Sequence, residues 1–150
     1  MITLQLDLGT VPSVLAAVND PLTVRRVVNA AAESYVDDLH DWIDAGQGFT
    51  PRTGILQQSI NWLPLGNGVE IYANAEYAGW VEEGTAAHVI RPKYRQALRF
   101  PVSGGAGFGF AKEINHPGSK AHPFFFADVA NREERMQARA LSVLARVLNG

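Results

Sequence analysis

The chain has 150 residues, 47% hydrophobic and 19% charged, with a formal net charge of -2. That mix excludes a wholly disordered chain, and the near-neutral balance argues against a dedicated nucleic-acid binder. It contains no cysteine, which removes disulfides, thiolate zinc sites and cysteine nucleophiles.

The length suits one domain, and area scaling gives it a folded surface of roughly 7,500 Å². No apolar run approaches the roughly 18 residues of a membrane span. Residues 1–7 lack a basic segment followed by an apolar block, so a signal peptide is not expected. The expectation is a soluble protein that stays in the cell that makes it.

Ile2, Leu4, Leu6 and Leu8 alternate with Thr3, Gln5 and Asp7, the period of a half-buried strand. Thr10-Val11-Pro12-Ser13 breaks it, and residues 14–18 read as a short helical turn or a connector. Asp20-Pro21 is a helix start, because Asp caps free N–H groups and Pro fits the first turn. Val24, Val27, Val28, Ala31, Tyr35, Leu39, Trp42 and Ile43 then recur at threes and fours, one apolar face on a helix that Gly46 and Gly48 end. Residues 50–54 form a loop and 55–59 a helical turn. Residues 60–65 and 69–73 flank Gly66-Asn67-Gly68, a hairpin signal. A short helix spans 77–84. Residues 87–91, 97–102 and 108–114 read as strands, with a flexible tip at 103–107. Residues 116–123 are loop by composition, and a second long helix follows from Phe124 to Leu148. The expected fold is a single α+β domain, an antiparallel sheet packed against two long helices at about residues 20–45 and 125–148.

Charge is unevenly placed. Residues 1–75 carry -5 and residues 76–150 carry +3, with Arg91, Lys93, Arg95, Arg99, Lys112 and Lys120 against Glu113 alone in 86–125. A subunit with unlike faces suits head-to-tail assembly.

Signals for chemistry are weak. His40 reads as a solvated helix residue. His88, His116 and His122 are enough imidazoles for zinc but lack the i, i+4 spacing of a hydrolytic helix, and Pro117-Gly118 interrupts the last pair. Adjacent Glu82 and Glu83 point about 100° apart on a helix and do not converge on a substrate. The stretch Ser103-Gly104-Gly105-Ala106-Gly107-Phe108-Gly109 has no following lysine and precedes a strand, so the phosphate-binding patterns fail. Trp42 reads as core. The rival to a structural role is a small metal-dependent hydrolase or nuclease using His116, His122 and Glu82.

Three blocks stand in order: Pro51-Arg52-Thr53-Gly54-Ile55-Leu56-Gln57-Gln58-Ser59-Ile60, Tyr77-Ala78-Gly79-Trp80-Val81-Glu82-Glu83-Gly84-Thr85, and His116-Pro117-Gly118-Ser119-Lys120-Ala121-His122-Pro123-Phe124-Phe125. With the long first helix, they resemble the small tail-component family of long-tailed phages, the neck or tail-completion proteins of the head–tail joint. The resemblance runs from about residue 20 to 148; the strand at 2–8 and the tip at 103–109 depart from it.

The resemblance implies a structural virion protein, made in the host bacterial cytoplasm, with no catalytic residue, cofactor or metal. Its expected partners are copies of itself in a ring of six, the head-closure or connector protein, and the tail-terminator or tail-tube protein. Genomic DNA passes through the lumen without sequence reading. A tail-terminator or head-closure ring of the same particle is the nearest alternative.

The blocks also read physically. Thr53-Gly54 turns the chain, and Leu56 and Ile60 anchor the next segment. Tyr77, Trp80 and Val81 are expected to seat the short helix on the sheet. Glu82 is expected to face Gly84-Thr85 and accept backbone N–H bonds there. Pro117 and Pro123 stiffen the loop holding His116 and Gly118, and residues 124–126 pin it to the core. Between subunits, the acidic first helix is expected to meet basic strands carrying Arg91 and Arg99, with hydrophobic joints from 77–85 and 103–125.

Overall fold

Leu6 and Leu8 of the alternating N-terminal segment are buried, and Ile2 and Leu4 pack against the same core. They belong to or directly follow β1 (Ile2–Asp7) in the computed structural model, which describes residues 1–66, 68–104 and 107–150. The expected helical turn is an eight-residue helix, α1 (Val11–Val18), burying Val11 and Leu15. Next comes α2 (Pro21–Asp44), where Asp20 accepts from the N–H groups of Leu22 at 3.2 Å and Thr23 at 3.1 Å. The Thr23 hydroxyl donates to the same carboxylate, and that bond first, with the two N–H bonds after it, holds the Asp20 carboxyl below its ordinary pKa. The apolar face expected from the sequence is buried along α2, apart from half-buried Val24 and Trp42.

A single turn, α3 (Ile55–Gln58), leads into β2 (Ile60–Pro64) and β3 (Gly68–Ala73). The antiparallel sheet has the order β1-β3-β2, with Ile2 and Ile60 both opposite Ala73. Val69, Ile71 and Ala73 of the central strand are buried, while Gln5 and Glu70 hydrogen-bond on the outer face at 3.1 Å. The hairpin turn includes Asn67, and the Gly-rich tip includes Gly105 and Ala106; these three lie outside the described residues.

After α4 (Ala78–Glu83) the chain forms β4 (His88–Ile90), β5 (Leu98–Pro101), β6 (Phe108–Ala111) and β7 (Ile114–His116). Two expectations change here. The strand expected over 108–114 is two strands, broken at Lys112-Glu113, because β6 pairs with β5 and β7 with β4. The antiparallel strands also divide among one three-stranded sheet and two two-stranded ribbons.

The last helix, α5 (Val129–Asn149), packs on α2 and starts later than expected. Residues 124–128 are not helical, since the N–H groups of Phe124, Phe125 and Phe126 are turned toward the Glu82 carboxylate. Of the large apolar side chains on this helix, Leu141 and Leu148 are exposed, as is Phe126 ahead of it. Arg132 instead occupies the buried row with Met136, Ala140 and Leu144. Its guanidinium lies 4.9 Å from the Trp42 ring centroid and 4.0 Å from Asp38, and it donates to the Ala127 carbonyl. Asp38 also accepts from Arg135 Nε at 3.0 Å, which raises the pKa of Arg135. Among the described residues no helix is long and apolar enough to cross a membrane.

Candidate functional site

The second and third sequence blocks meet along one seam. Glu82, only 6% exposed, accepts from the N–H groups of Phe124 at 2.7 Å, Phe125 at 2.8 Å and Phe126 at 3.1 Å. A buried carboxylate requires such compensation, and charged acceptors make the stronger backbone bonds. This corrects the expectation that Glu82 faces Gly84-Thr85. Those residues clasp the other side of the loop: Thr85 N–H donates to the Ser119 carbonyl at 3.0 Å, and Ser119 N–H returns the bond at 3.1 Å. His122 N–H donates to the Val81 carbonyl at 2.8 Å.

Both glycines of this clasp are required by space as well as by conformation. Gly84 has φ 74° and Gly118 φ 90°. A Cβ on Gly84 would stand 2.5 Å from the Ser119 carbonyl oxygen, and one on Gly118 would overlap the Thr85 carbonyl oxygen. Neither the positive φ nor the gap admits a side chain at low cost.

The first block closes against the same place. Gly54, φ 74°, turns the chain into α3, and Leu56 is buried. Thr53, Gly54 and Leu56 line a cleft of about 550 Å³ together with Phe49, Tyr77, Val81 and His122. The His122 imidazole sits 3.3 Å from the Gly48 carbonyl, and Phe49 packs edge-on to Phe124 at 5.0 Å. The three blocks therefore form one joint. Two of the three residues expected to seat α4 do not: Trp80 is 63% exposed, and Tyr77 is 37% exposed at the rim of the cleft. Ala78, Val81 and Glu82 form the inner face, and the one-residue offset puts Trp80 on the outer side.

From this joint residues 86–117 extend as an arm built of the two ribbons. No described residue between 83 and 123 is buried. Val89, Ile90, Tyr94, Val102, Phe108 and Phe110 are large apolar or aromatic side chains left exposed there, Phe110 at 70%. In β5–β6, Phe100 covers Gly109 on one face, while Arg99 stacks 3.6 Å from the Phe108 ring centroid on the other. Phe108 and Phe110 are two apart and share that second face. Arg91 pairs with Glu113 at 3.1 Å in the exposed arm. Residues 86–125 carry six Lys/Arg against Glu113, a net +5, leaving -7 for the rest of the chain.

The residues of the hydrolase reading are otherwise engaged. His116 faces His88 across β4–β7, rings 5.0 Å apart, and its Nδ1 accepts from Gly118 N–H at 3.1 Å. Glu82 is taken up by the three phenylalanine N–H groups, and the His122 imidazole lies 3.3 Å from the Gly48 carbonyl. Among the described residues no group of three or more His, Asp or Glu is placed to hold a metal ion. Pro117 and Pro123 flank the clasp.

Sequence reasoning missed Phe49 as a contributor to the joint, since no periodic neighbour marks it. It also missed the Phe108 and Phe110 pair as a single patch, although the Phe108-Gly109-Phe110 alternation announces two rings on one face. Comparison of the chain with protein-family models, curated proteins and solved structures finds no match.

Proposed function

We propose that the chain is a structural assembly subunit, a virion protein of the head–tail joint of a long-tailed phage. Copies of it close into a ring, of six by the family resemblance, that joins the head connector to the tail tube and lets DNA pass through. The observation that carries the assembly reading is the arm, residues 86–117: it is rich in exposed apolar side chains, and none of its described residues is buried. Isolated two-stranded ribbons are marginal in water, so such an arm has its purpose against a partner.

The surface area points the same way. The chain exposes 9882 Å², about 2,400 Å² more than the roughly 7,500 Å² expected of a compact monomer of this mass. That excess exceeds a standard protein–protein interface. The phage setting rests on the three sequence blocks.

Electron microscopy of the purified protein tests the reading. Discrete rings with a central channel support it. Dispersed monomers at every concentration, or metal-dependent turnover lost on Glu82→Ala, His116→Ala and His122→Ala replacement, overturn it.

A further inference from the structure

The body of the chain carries a second unpartnered surface, and its chemistry matches the arm. A groove of about 690 Å³ runs between the N-terminal half of α2 and the end of β2, floored by Leu15, Val24, Val28, Trp62 and Leu65, with Arg25 on its rim. The i, i+4 row of α2 that borders it, Arg25 and Asn29, continues through Glu33, Asp37 and Asp41. Glu33, Asp37, Asp41 and nearby Asp44 are exposed, and none has an ion-pair partner among the described residues.

That row works against its own helix. Like charges four apart repel. Asp41 and Asp44 also lie at the C-terminal end, where the macrodipole disfavours anions, and the last turn has no basic residue. Asp38, by contrast, faces α5 and is paired with Arg135. Asp44 accepts a hydrogen bond from Gln57 Nε2 at 2.9 Å, a neutral donor, so the row keeps its negative charge and presents it outward.

Resting on the assembly reading, we propose that the outer face of the β5–β6 ribbon of one copy, carrying Phe108 and Phe110, docks in this groove of the next. Phe108 and Phe110 enter over Trp62 and Leu65, and the basic flank of the arm lies along the Glu33–Asp37–Asp41 row. Arm residues 86–117 at +4 and the rest of the chain at -6 make the contact head-to-tail, and a head-to-tail contact repeated by rotation closes a ring. Within one chain the arm strands pair mainly with one another, so the groove stays free for a neighbour. Duplex DNA would match the arm's charge, but not the outward Phe108, Phe110, Val89 and Ile90, which need an apolar seat.

The absence of native cysteine makes the test direct. Affinity-tagged Leu65→Cys protein is mixed with untagged Phe110→Cys protein under mild oxidation. The expected product is a reducible heterodimer, readable by size, with no such product from Tyr77→Cys and Phe110→Cys at the other cleft. Phe108→Ser/Phe110→Ser should weaken self-association about thirtyfold or more if these rings are the anchor. A Tyr77 cross-link in place of the Leu65 one, or no Leu65 cross-link in a sample that sediments as an oligomer, overturns the docking while leaving the assembly reading intact. Retention of duplex DNA that is lost in the double Ser variant, without any Leu65 cross-link, assigns the arm to nucleic acid and also overturns it. A chain that never sediments above a monomer removes both.

Discussion

Replacing Glu82 by Ala removes the acceptor for three backbone N–H groups, two of them on buried Phe124 and Phe125. Each stranded buried donor costs about 1–3 kcal/mol. With the third bond half exposed, the total is roughly 3–5 kcal/mol. At about 2–4 °C per kcal/mol for a domain of this size, that is a fall in Tm of roughly 6–20 °C. Glu82→Gln separates charge from geometry. Both short bonds, from Phe124 and Phe125, go to Oε2; an amide oxygen placed there keeps them and leaves its NH2 facing the Phe126 N–H. Its cost should be about 1–2 kcal/mol, the loss of one bond and of charge assistance. Urea denaturation of the three proteins measures the order, and amide exchange at Phe124 and Phe125 locates it. A Glu82→Ala variant within about 1 kcal/mol of the parent would refute the claim that this carboxylate holds the joint.

The same geometry sets further outcomes. Gly118→Ala places a Cβ against the Thr85 carbonyl at φ 90° and should cost more than about 1 kcal/mol; limited proteolysis should show faster cleavage within 86–123. Tyr35→Phe should leave stability within about 1 kcal/mol or raise it, because the buried Tyr35 hydroxyl has no hydrogen-bond partner among the described residues. Burial pushes the Tyr35 pKa up to about 12 from 10.0. The parent should therefore lose stability as pH rises from about 10 toward 12, and Tyr35→Phe should escape that loss, as alkaline urea titrations would show. Asp20, with its pKa lowered, stabilises the fold above the ordinary value of 3.8; the stability gap between parent and Asp20→Ala should shrink as pH falls below it. Reversing Arg91 and Arg99 to Glu together should weaken assembly in low salt, read by sedimentation; unchanged assembly would count against the electrostatic contact.

Local rules made most of the body legible. Asp20-Pro21 marks where α2 begins, because capping and proline act within four residues. The period-two run through Leu6 and the period of α2 from Val27 to Ile43 each name a buried face directly. Long-range choices were less legible. Phe124-Phe125-Phe126 looks like the opening of an apolar helix, but a carboxylate 42 positions earlier takes their N–H groups and delays α5 to Val129. Arg132 occupies a core position through contacts with Trp42, Asp38 and the Ala127 carbonyl, which no sequence spacing announces. In the arm, Lys112-Glu113 breaks what reads as one strand, because register is set by the partner strands rather than by propensity. The three blocks were legible as segments; their convergence on one joint was not, since that depends on loops crossing between α3, α4 and the start of α5.

The most direct measurement of the central claim is native mass spectrometry of the parent protein at low ionic strength, beside the Phe108→Ser/Phe110→Ser variant. The parent is expected as one discrete closed oligomer and the variant as monomers. Monomers for both at every concentration, or the same oligomer for both, would contradict it.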